Sequence, residues 1–155
     1  MALLSELCEK KVSRNERKEV AKNAKGSIMH ENEIAKQILD CAFKIHKNVG
    51  PGLLESVYEE LLSFEIIKSG LLVQRQVGIP LNYESIKMEI GFRADIIVEN
   101  KVIIELKSIE AILDVHKKQL LTYLKLSGLR LGLLINFNVN MLKDGIVRIV
   151  NKLDI

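Results

Sequence analysis

The sequence predicts a single α/β domain in which helices flank a mixed β-sheet. Three observations support this fold class: apolar residues at helical spacing near the start, alternating or continuous apolar runs of strand length after them, and the order of these segments. That order is helix, helix, three strands, helix and two strands. A length of 155 residues fits one domain, and a two-layer or three-layer sandwich is expected.

The first two helices are predicted from apolar residues that recur every three or four positions. The first helix begins at His30, and the segment NVGPG ends it because glycine and proline break helices. Its apolar face comprises Ile34, Ile38, Cys41, Ala42 and Ile45. The second helix ends at Gly70, and its predicted apolar face comprises Leu54, Val57, Tyr58, Leu61, Leu62 and Ile66.

Strand patterns follow the second helix. The segment LLVQRQVGIPLNYES alternates and contains Pro80, which predicts an edge position or a bulge. The segments KMEIGFRADIIVE and KVIIELKS are expected to form a hairpin around the polar residues Glu99, Asn100 and Lys101.

A third helix and two strands complete the pattern. The segment VHKKQLLTYLKLSG is predicted to turn Leu120, Leu121 and Leu124 inward and to end at Gly128. The segment RLGLLINFN is almost wholly apolar, so we expect it inside the sheet with both faces covered. GIVRIVN is a last alternating strand.

Residues 1–28 differ from the rest of the chain in charge. Residues 1–27 hold seven basic and four acidic residues, so they carry the whole net charge of +3 and the remainder is neutral. Gly26 and Ser27 precede the first helical pattern, and Met29 stands at the junction. We expect residues 1–28 to be a basic extension outside the fold, as a solvated tail or loose helix, and residues 29–155 to be one domain. An upstream start codon is one origin for such an extension.

Composition excludes several classes of protein. No apolar run approaches the roughly 20 residues that a membrane span needs, and the N-terminus lacks a secretory signal pattern. Cys8 and Cys41 are too few for a disulfide framework, a zinc ribbon or an iron–sulfur cluster. We therefore expect reduced thiols and a cytoplasmic protein. Because residues 29–155 are neutral, nucleic-acid affinity there requires a local patch or a metal.

Three charged residues interrupt the apolar strands of RADIIVENKVIIELKS: Asp95, Glu105 and Lys107. Charged side chains are rarely buried unless they are paired or bind a metal. Side chains alternate along a strand, so Glu105 and Lys107 share a face. A three-residue loop over 99–101 would place Asp95 opposite Glu105, with Cβ atoms about 4.5–5.5 Å apart. A two-residue loop would put the two carboxylates on opposite faces.

Two carboxylates at that separation repel each other unless a cation or a proton lies between them. Mg²⁺ prefers hard oxygen ligands and commonly combines one or two carboxylates with water and a substrate phosphate. Lys107 can hold a phosphate oxygen, orient an attacking water or stabilise developing negative charge. The pattern favours phosphodiester hydrolysis, and its alternative is a metal-free ion-pair cluster at the rim of the sheet.

Two further polar elements fit the same chemistry. Glu55 interrupts the apolar start of the second helix, where it is either a third carboxylate of the site or an acid favoured by the helix dipole. Gln119 and Tyr123 are four residues apart on the third helix, one turn after His116. They form either a solvated edge or a polar ridge that meets a nucleic-acid backbone or holds Lys107.

Together these residues resemble the PD-(D/E)xK nuclease superfamily, and the Gln-x-x-x-Tyr pair resembles its RecB-like branch. The segment GLLESVY is similar to the motif of the uncharacterised GxxExxY family, through Gly52, Glu55 and Tyr58. The resemblance runs from about Met29 to the C-terminus. Ala94 stands where the motif's proline would precede Asp95, a common departure, and the cysteines of iron–sulfur RecB-like nucleases are missing.

The resemblance implies a restriction-endonuclease-like sandwich with a mixed central sheet flanked by helices. It implies a site that uses Mg²⁺ or Mn²⁺, bound by Asp95, Glu105 and Glu55. The residues that it marks as catalytic are Glu55, Asp95, Glu105, Lys107, Gln119 and Tyr123. It implies a nucleic-acid substrate, with DNA ahead of RNA.

A shared fold does not by itself prove an activity. A nucleic-acid-binding protein without catalysis and a protein-interaction module remain alternatives. No sequence-recognition module is legible in the chain, so we expect structure-selective cutting or a protein partner that supplies specificity. A homo-oligomer stays open.

Overall fold

The computed structural model describes residues 28–153, so the predicted extension lies outside the described residues except for Ile28. The helices and strands follow the predicted order. They are helices α1 (Glu31–Val49), α2 (Glu55–Lys68) and α3 (Asp114–Ser127), and strands β1 (Val73–Tyr83), β2 (Ile86–Val98), β3 (Val102–Lys107), β4 (Leu131–Asn136) and β5 (Ile146–Val150). No helix among the described residues is long and apolar enough to cross a membrane.

The five strands form one mixed sheet in the order β1-β2-β3-β4-β5. Neighbouring strands are antiparallel except β3 and β4, which run parallel and are connected through α3. β4 is an interior strand and is buried along its whole length, as its continuous apolar run predicted. The α/β class is confirmed, and the arrangement is consistent with a restriction-endonuclease-like fold.

The hydrophobic core has two parts, one on each face of the sheet. Residues of α1 and α2 pack with one set of strand side chains, and residues of α3 pack with the other. The molecule is therefore a three-layer sandwich. Two predictions of burial were wrong, because Leu54 is 72% exposed and Val57 is 37% exposed. Leu61 and Leu121 are half-buried.

The structure confirms two local predictions, one about a hairpin loop and one about a strand that contains proline. Val98 pairs with Val102, so the hairpin between β2 and β3 has a three-residue loop. β1 is an edge strand, and its pairing with β2 shifts between Ile79 and Leu81, on either side of Pro80. A proline within a strand predicts an edge position or a bulge, and β1 has the edge position together with an irregular pairing at Pro80.

The β1–β2 pair changes faces part-way along its length. In a regular strand Ala94, Ile96 and Val98 would share one face. Instead Ala94 packs on the α3 side, whereas Ile96 and Val98 pack on the side of α1 and α2. In β1, Val73 and Val77 are divided between the two sides in the same way. The alternation is interrupted in both strands, and Asp95 lies at the interruption.

Candidate active site

Asp95 lies where β2 begins to separate from β3. Strand pairing is present at Ile96–Ile104, and one residue further on the Oδ2 atom of Asp95 accepts a hydrogen bond from the backbone N–H of Leu106 at 2.8 Å. Burial raises the pKa of Asp95, the Leu106 bond and Lys107 oppose that rise, and Glu59 and Glu55 add to it. The side chain is thus fixed by the neighbouring strand and surrounded by other acids.

Glu105 is the most deeply placed acid of the predicted set, with 8% of its surface exposed. Its Oε1 atom accepts a hydrogen bond from Lys107 Nζ at 3.2 Å. Its Oε2 atom is buried and has no hydrogen-bond partner among the described residues. Burial and the charge of Asp95, opposed by Lys107, together raise the pKa of Glu105 to about 7. A buried carboxylate oxygen without a partner is the kind of atom that a cation satisfies.

Lys107 is half-buried beside these acids. Burial by itself lowers the pKa of Lys107, but the charges of Glu105, Glu55 and Asp95 outweigh that effect and raise it above the ordinary value. The ammonium group is therefore positively charged at neutral pH, which the predicted roles on phosphate or water require.

Glu55 is the first residue of α2 and is exposed. Its Oε1 atom accepts a hydrogen bond from the backbone N–H of Ser108 at 3.2 Å. The hydroxyl of Ser108 donates in turn to the carbonyl of Leu53 at 2.6 Å. These two bonds join the beginning of α2 to the residue that follows Lys107.

Tyr58 supports the same junction from inside the core. Its buried ring stacks on Phe137, with ring centroids 4.3 Å apart. Its hydroxyl donates to the carbonyl of Gly50 at 2.6 Å and accepts from the N–H of Leu53 at 3.2 Å. The sequence marked Tyr58 only as a motif and core residue, and its hydroxyl links that core to the turn before Glu55.

A pocket of about 490 Å³ opens beside this junction. It brings Glu55 and Asp95 together, and its lining comprises Leu54, Glu55, Ser56, Glu59, Gln76, Asp95 and Leu106. Glu105 and Lys107 lie outside this lining. Their connection to it is electrostatic, because the charges of Asp95 and Glu55 both influence the pKa of Glu105.

Sequence reasoning missed three residues next to the pocket. Glu59 is 8% exposed and accepts hydrogen bonds from Arg75 Nε at 3.0 Å and from Gln76 Nε2 at 2.8 Å. It lies four residues after Glu55, on the same face of α2. That spacing was a usable signal for Glu59, whereas the pairing with Arg75 and Gln76 joins residues far apart in the sequence.

The two residues of the third-helix motif differ in burial. Gln119 is exposed, while Tyr123 is 8% exposed and stacks on Phe92 with ring centroids 3.6 Å apart. Burial raises the pKa of the Tyr123 hydroxyl, and so does the charge of Glu105, while an interaction with the Gln119 side chain lowers it. The Tyr123 hydroxyl therefore lies within range of the charge of Glu105. His116 accepts a hydrogen bond from the N–H of Leu113 and caps α3.

The predicted metal ligands are only partly assembled. Within residues 28–153, no three histidine, cysteine, aspartate or glutamate side chains form a group that could hold a metal ion. The chemistry of the donors nevertheless suits Mg²⁺ or Mn²⁺, because Asp95 and Glu105 are coupled acids and one buried oxygen of Glu105 lacks a partner. The three-ligand set that includes Glu55 stays a prediction.

A mixed five-stranded sheet between helices defines an α/β sandwich domain, and it is consistent with a restriction-endonuclease-like fold. Comparison with protein families matches residues 32–149 to the family described as PD-(D/E)XK nuclease superfamily. The chain belongs to the PD-(D/E)XK nuclease superfamily. Neither a search of curated proteins nor a search of solved structures found a match.

Proposed function

We propose that the protein is a metal-dependent nuclease that hydrolyses phosphodiester bonds of DNA, with RNA as the second substrate to test. The observation that carries this proposal is Glu105, a buried acid with an oxygen that has no partner among the described residues. It stands beside Asp95 and Lys107 in a chain of this superfamily.

Asp95 and Glu105 would hold a Mg²⁺ or Mn²⁺ ion, with Glu55 as a further ligand from α2. When bound, such an ion supplies Lewis-acid stabilisation of the phosphate and a more acidic water. The Leu106 amide keeps the Asp95 carboxylate oriented, and Lys107 places its positive charge where negative charge develops in the transition state. Tyr123 and Gln119 support this group from α3.

The finer family assignment is also a proposal. Gly52, Glu55 and Tyr58 match the GxxExxY pattern, and Gln119 with Tyr123 matches the RecB-like branch. The conformation and contacts of these residues support it: Gly52 has a φ of +98°, Glu55 bonds to Ser108 after β3, and Tyr58 bonds to the turn before α2.

We further propose that the protein either cuts according to the structure of the nucleic acid or depends on a protein partner for its specificity. Residues 28–155 hold equal numbers of basic and acidic side chains, so the domain offers little general attraction to phosphate. A homo-oligomer would be one way to build a longer nucleic-acid surface.

The deciding experiment is a cleavage assay with the full chain in Mg²⁺, in Mn²⁺ and in chelator. The substrates are single-stranded, duplex and branched DNA, and RNA. We expect metal-dependent cleavage by the wild type and none by Asp95→Asn. Asp114→Asn is the matched control, because it removes the same charge from a side chain that is 83% exposed on α3. Salt-dependent binding without cleavage would favour the inactive nucleic-acid-binding alternative, and neither property would favour a protein-interaction module.

A further inference from the structure

Gln76 adopts a backbone conformation that residues other than glycine rarely adopt. Its φ of +50° lies in the left-handed region, where the Cβ atom is crowded. It stands inside β1 between two regular pairs, Arg75 with Ile96 and Val77 with Ala94. The position opposite Gln76 is therefore Asp95, and this unusual backbone faces a proposed metal ligand.

Two hydrogen bonds hold Gln76 in place. Its side-chain amide donates to Oε2 of Glu59 at 2.8 Å, and its backbone carbonyl accepts from Nη1 of Arg93 at 3.1 Å. Glu59 is itself nearly buried and bonded to Arg75. The distorted point of β1 is thus attached to α2 through Glu59 and to β2 through Arg93.

The distortion coincides with the change of faces in the β1–β2 pair. On one side of Gln76, Val73 and Ile96 pack towards α1 and α2, and on the other, Val77 and Ala94 pack towards α3. A strand residue with left-handed backbone breaks the two-residue alternation and re-aims the neighbouring side chains. Asp95 lies at this break and reaches the Leu106 amide and the pocket.

We propose that Gln76 is a positioning residue of the site, whose left-handed backbone re-aims Asp95 towards the Leu106 amide and the pocket. Strained backbone concentrates at functional sites, where the surrounding structure maintains it. The value of this positioning for metal binding rests on the proposed function. The placement of Asp95 itself does not depend on that function and is measured separately.

Three variants of the full chain test the proposal. Gln76→Val disfavours the left-handed conformation, because a β-branched residue rarely adopts it. Gln76→Gly permits that conformation but removes the amide. Glu84→Val is the matched control, since Glu84 also has a φ of +50° but lies in the turn between β1 and β2.

The first measurement is the NMR signal of the Leu106 amide in metal-free protein, since this amide donates to Asp95. The second is the Mg²⁺ affinity by calorimetry. We expect Gln76→Val to shift the Leu106 amide proton upfield and to weaken Mg²⁺ binding by about tenfold or more, as loss of a supporting residue does at metal sites. Gln76→Gly should retain the wild-type amide signal and most of the affinity, and Glu84→Val should change neither.

The proposal is overturned if the Leu106 amide is unchanged in Gln76→Val, or if Gln76→Gly disturbs it as much as valine does. It is also overturned if Glu84→Val produces the same shift. Should Gln76→Val fail to fold, Gln76→Ala replaces it, and equal Leu106 signals in the alanine and glycine variants would refute the proposal. A wild type that binds no Mg²⁺ would refute the proposed function, while the Leu106 amide still decides the positioning role.

Discussion

At the scale of single residues, the acids in the site work against the stability of the metal-free fold. Glu105 is buried close to Asp95, and these two effects raise its pKa from an ordinary 4.5 to about 7. The folded chain therefore binds a proton more tightly at Glu105 than the unfolded chain does. The contribution of protonated Glu105 to the free energy of unfolding is fully present below about pH 4.5 and is lost as the pH rises through about 7.

Removing this acid should flatten the pH dependence of folding. In chelator, we expect the free energy of unfolding of the wild type to fall by up to roughly 3 kcal/mol between pH 5 and pH 8, from the size of the pKa shift. Glu105→Gln should lose most of that fall because it cannot ionise. Urea unfolding at pH 5 and pH 8 measures the fall in the free energy of unfolding for the wild type and for Glu105→Gln. Glu110→Gln, in the exposed loop after β3, is the control, and equal pH dependence in all three proteins would contradict the assignment.

Lys107 should contribute to catalysis more than to metal binding. Its ammonium lies 3.2 Å from Oε1 of Glu105, and its charge lowers the pKa of that acid. We expect Lys107→Met to retain Mg²⁺ binding, with calorimetry run over a pH series because loss of the Lys107 charge raises the pKa of Glu105 further. Its cleavage rate should fall by about 10²–10³, the usual cost of losing one transition-state partner.

The control for Lys107 is Lys117→Met, which removes an exposed ammonium paired with Asp114 on α3. Turnover close to that of the wild type in Lys107→Met would assign this lysine a structural role. Loss of Mg²⁺ binding together with turnover at the same pH would show that it acts on the acids.

At the scale of elements, the start of α2 is held by Tyr58. Tyr58→Phe keeps the ring that stacks on Phe137 but removes the bonds to Gly50 and Leu53. We expect a loss of about 1–3 kcal/mol in the free energy of unfolding, from about 0.5–1.5 kcal/mol for each of the two part-buried hydrogen bonds. Urea denaturation in chelator measures it. Tyr83→Phe alters an exposed tyrosine on β1, and an equal effect there would show that the hydroxyl of Tyr58 has no special role.

The order of elements was predictable because local chemistry determines it. Pro80 has no N–H to donate, so the edge strand and its irregular pairing followed directly from its presence. The polar triplet after Val98 predicted the three-residue loop for similar reasons. The exposure of Leu54 was not predictable in this way. It belongs to a helical pattern, but it precedes the first turn of α2 and caps it without facing the core.

The candidate site was predictable where a charge interrupts an apolar run, as at Asp95 and Glu105. It was not predictable where the sequence carries no local mark. Gln76 is an ordinary residue type for a strand, so its identity does not indicate a left-handed backbone. The contacts that hold it, with Glu59 and Arg93, join residues that are distant in the sequence. The burial of Tyr123 on α3 depends in the same way on a distant residue, Phe92 of β2.

At the scale of the whole molecule, the sandwich explains why the acids lie together. α2 covers one face of the sheet and α3 covers the other. The end of β3 lies between these helices, so the N–H of Ser108 donates to Glu55 of α2. On the other side, the charge of Glu105 raises the pKa of Tyr123 of α3. Three layers thus contribute to one small region at the edge of the pairing between β2 and β3.

The first described residues differ in how they contact the folded domain. Ile28, the first described residue, is 90% exposed, whereas Met29 packs against the core and its carbonyl accepts from Lys101 Nζ at 2.5 Å. His30 then caps α1, because its Nδ1 atom accepts from the N–H of Asn32 and its own N–H donates to Glu33. Among the described residues, the contacts at the start of the fold are therefore made by residues 29 and 30.

We expect deletion of residues 1–28 to leave the thermal midpoint nearly unchanged, because Met29 and the cap of α1 remain. Deletion of residues 1–30 is the matched control and should lower the midpoint, since loss of a helix cap alone costs about 1 kcal/mol. Differential scanning calorimetry compares the two with the full chain. The shorter deletion should also weaken non-specific DNA binding at low salt, because residues 1–27 carry the net charge of +3. A fall of more than about 5 °C on that deletion, on the order of 1 kcal/mol for a chain of this size, would show that the extension belongs to the fold.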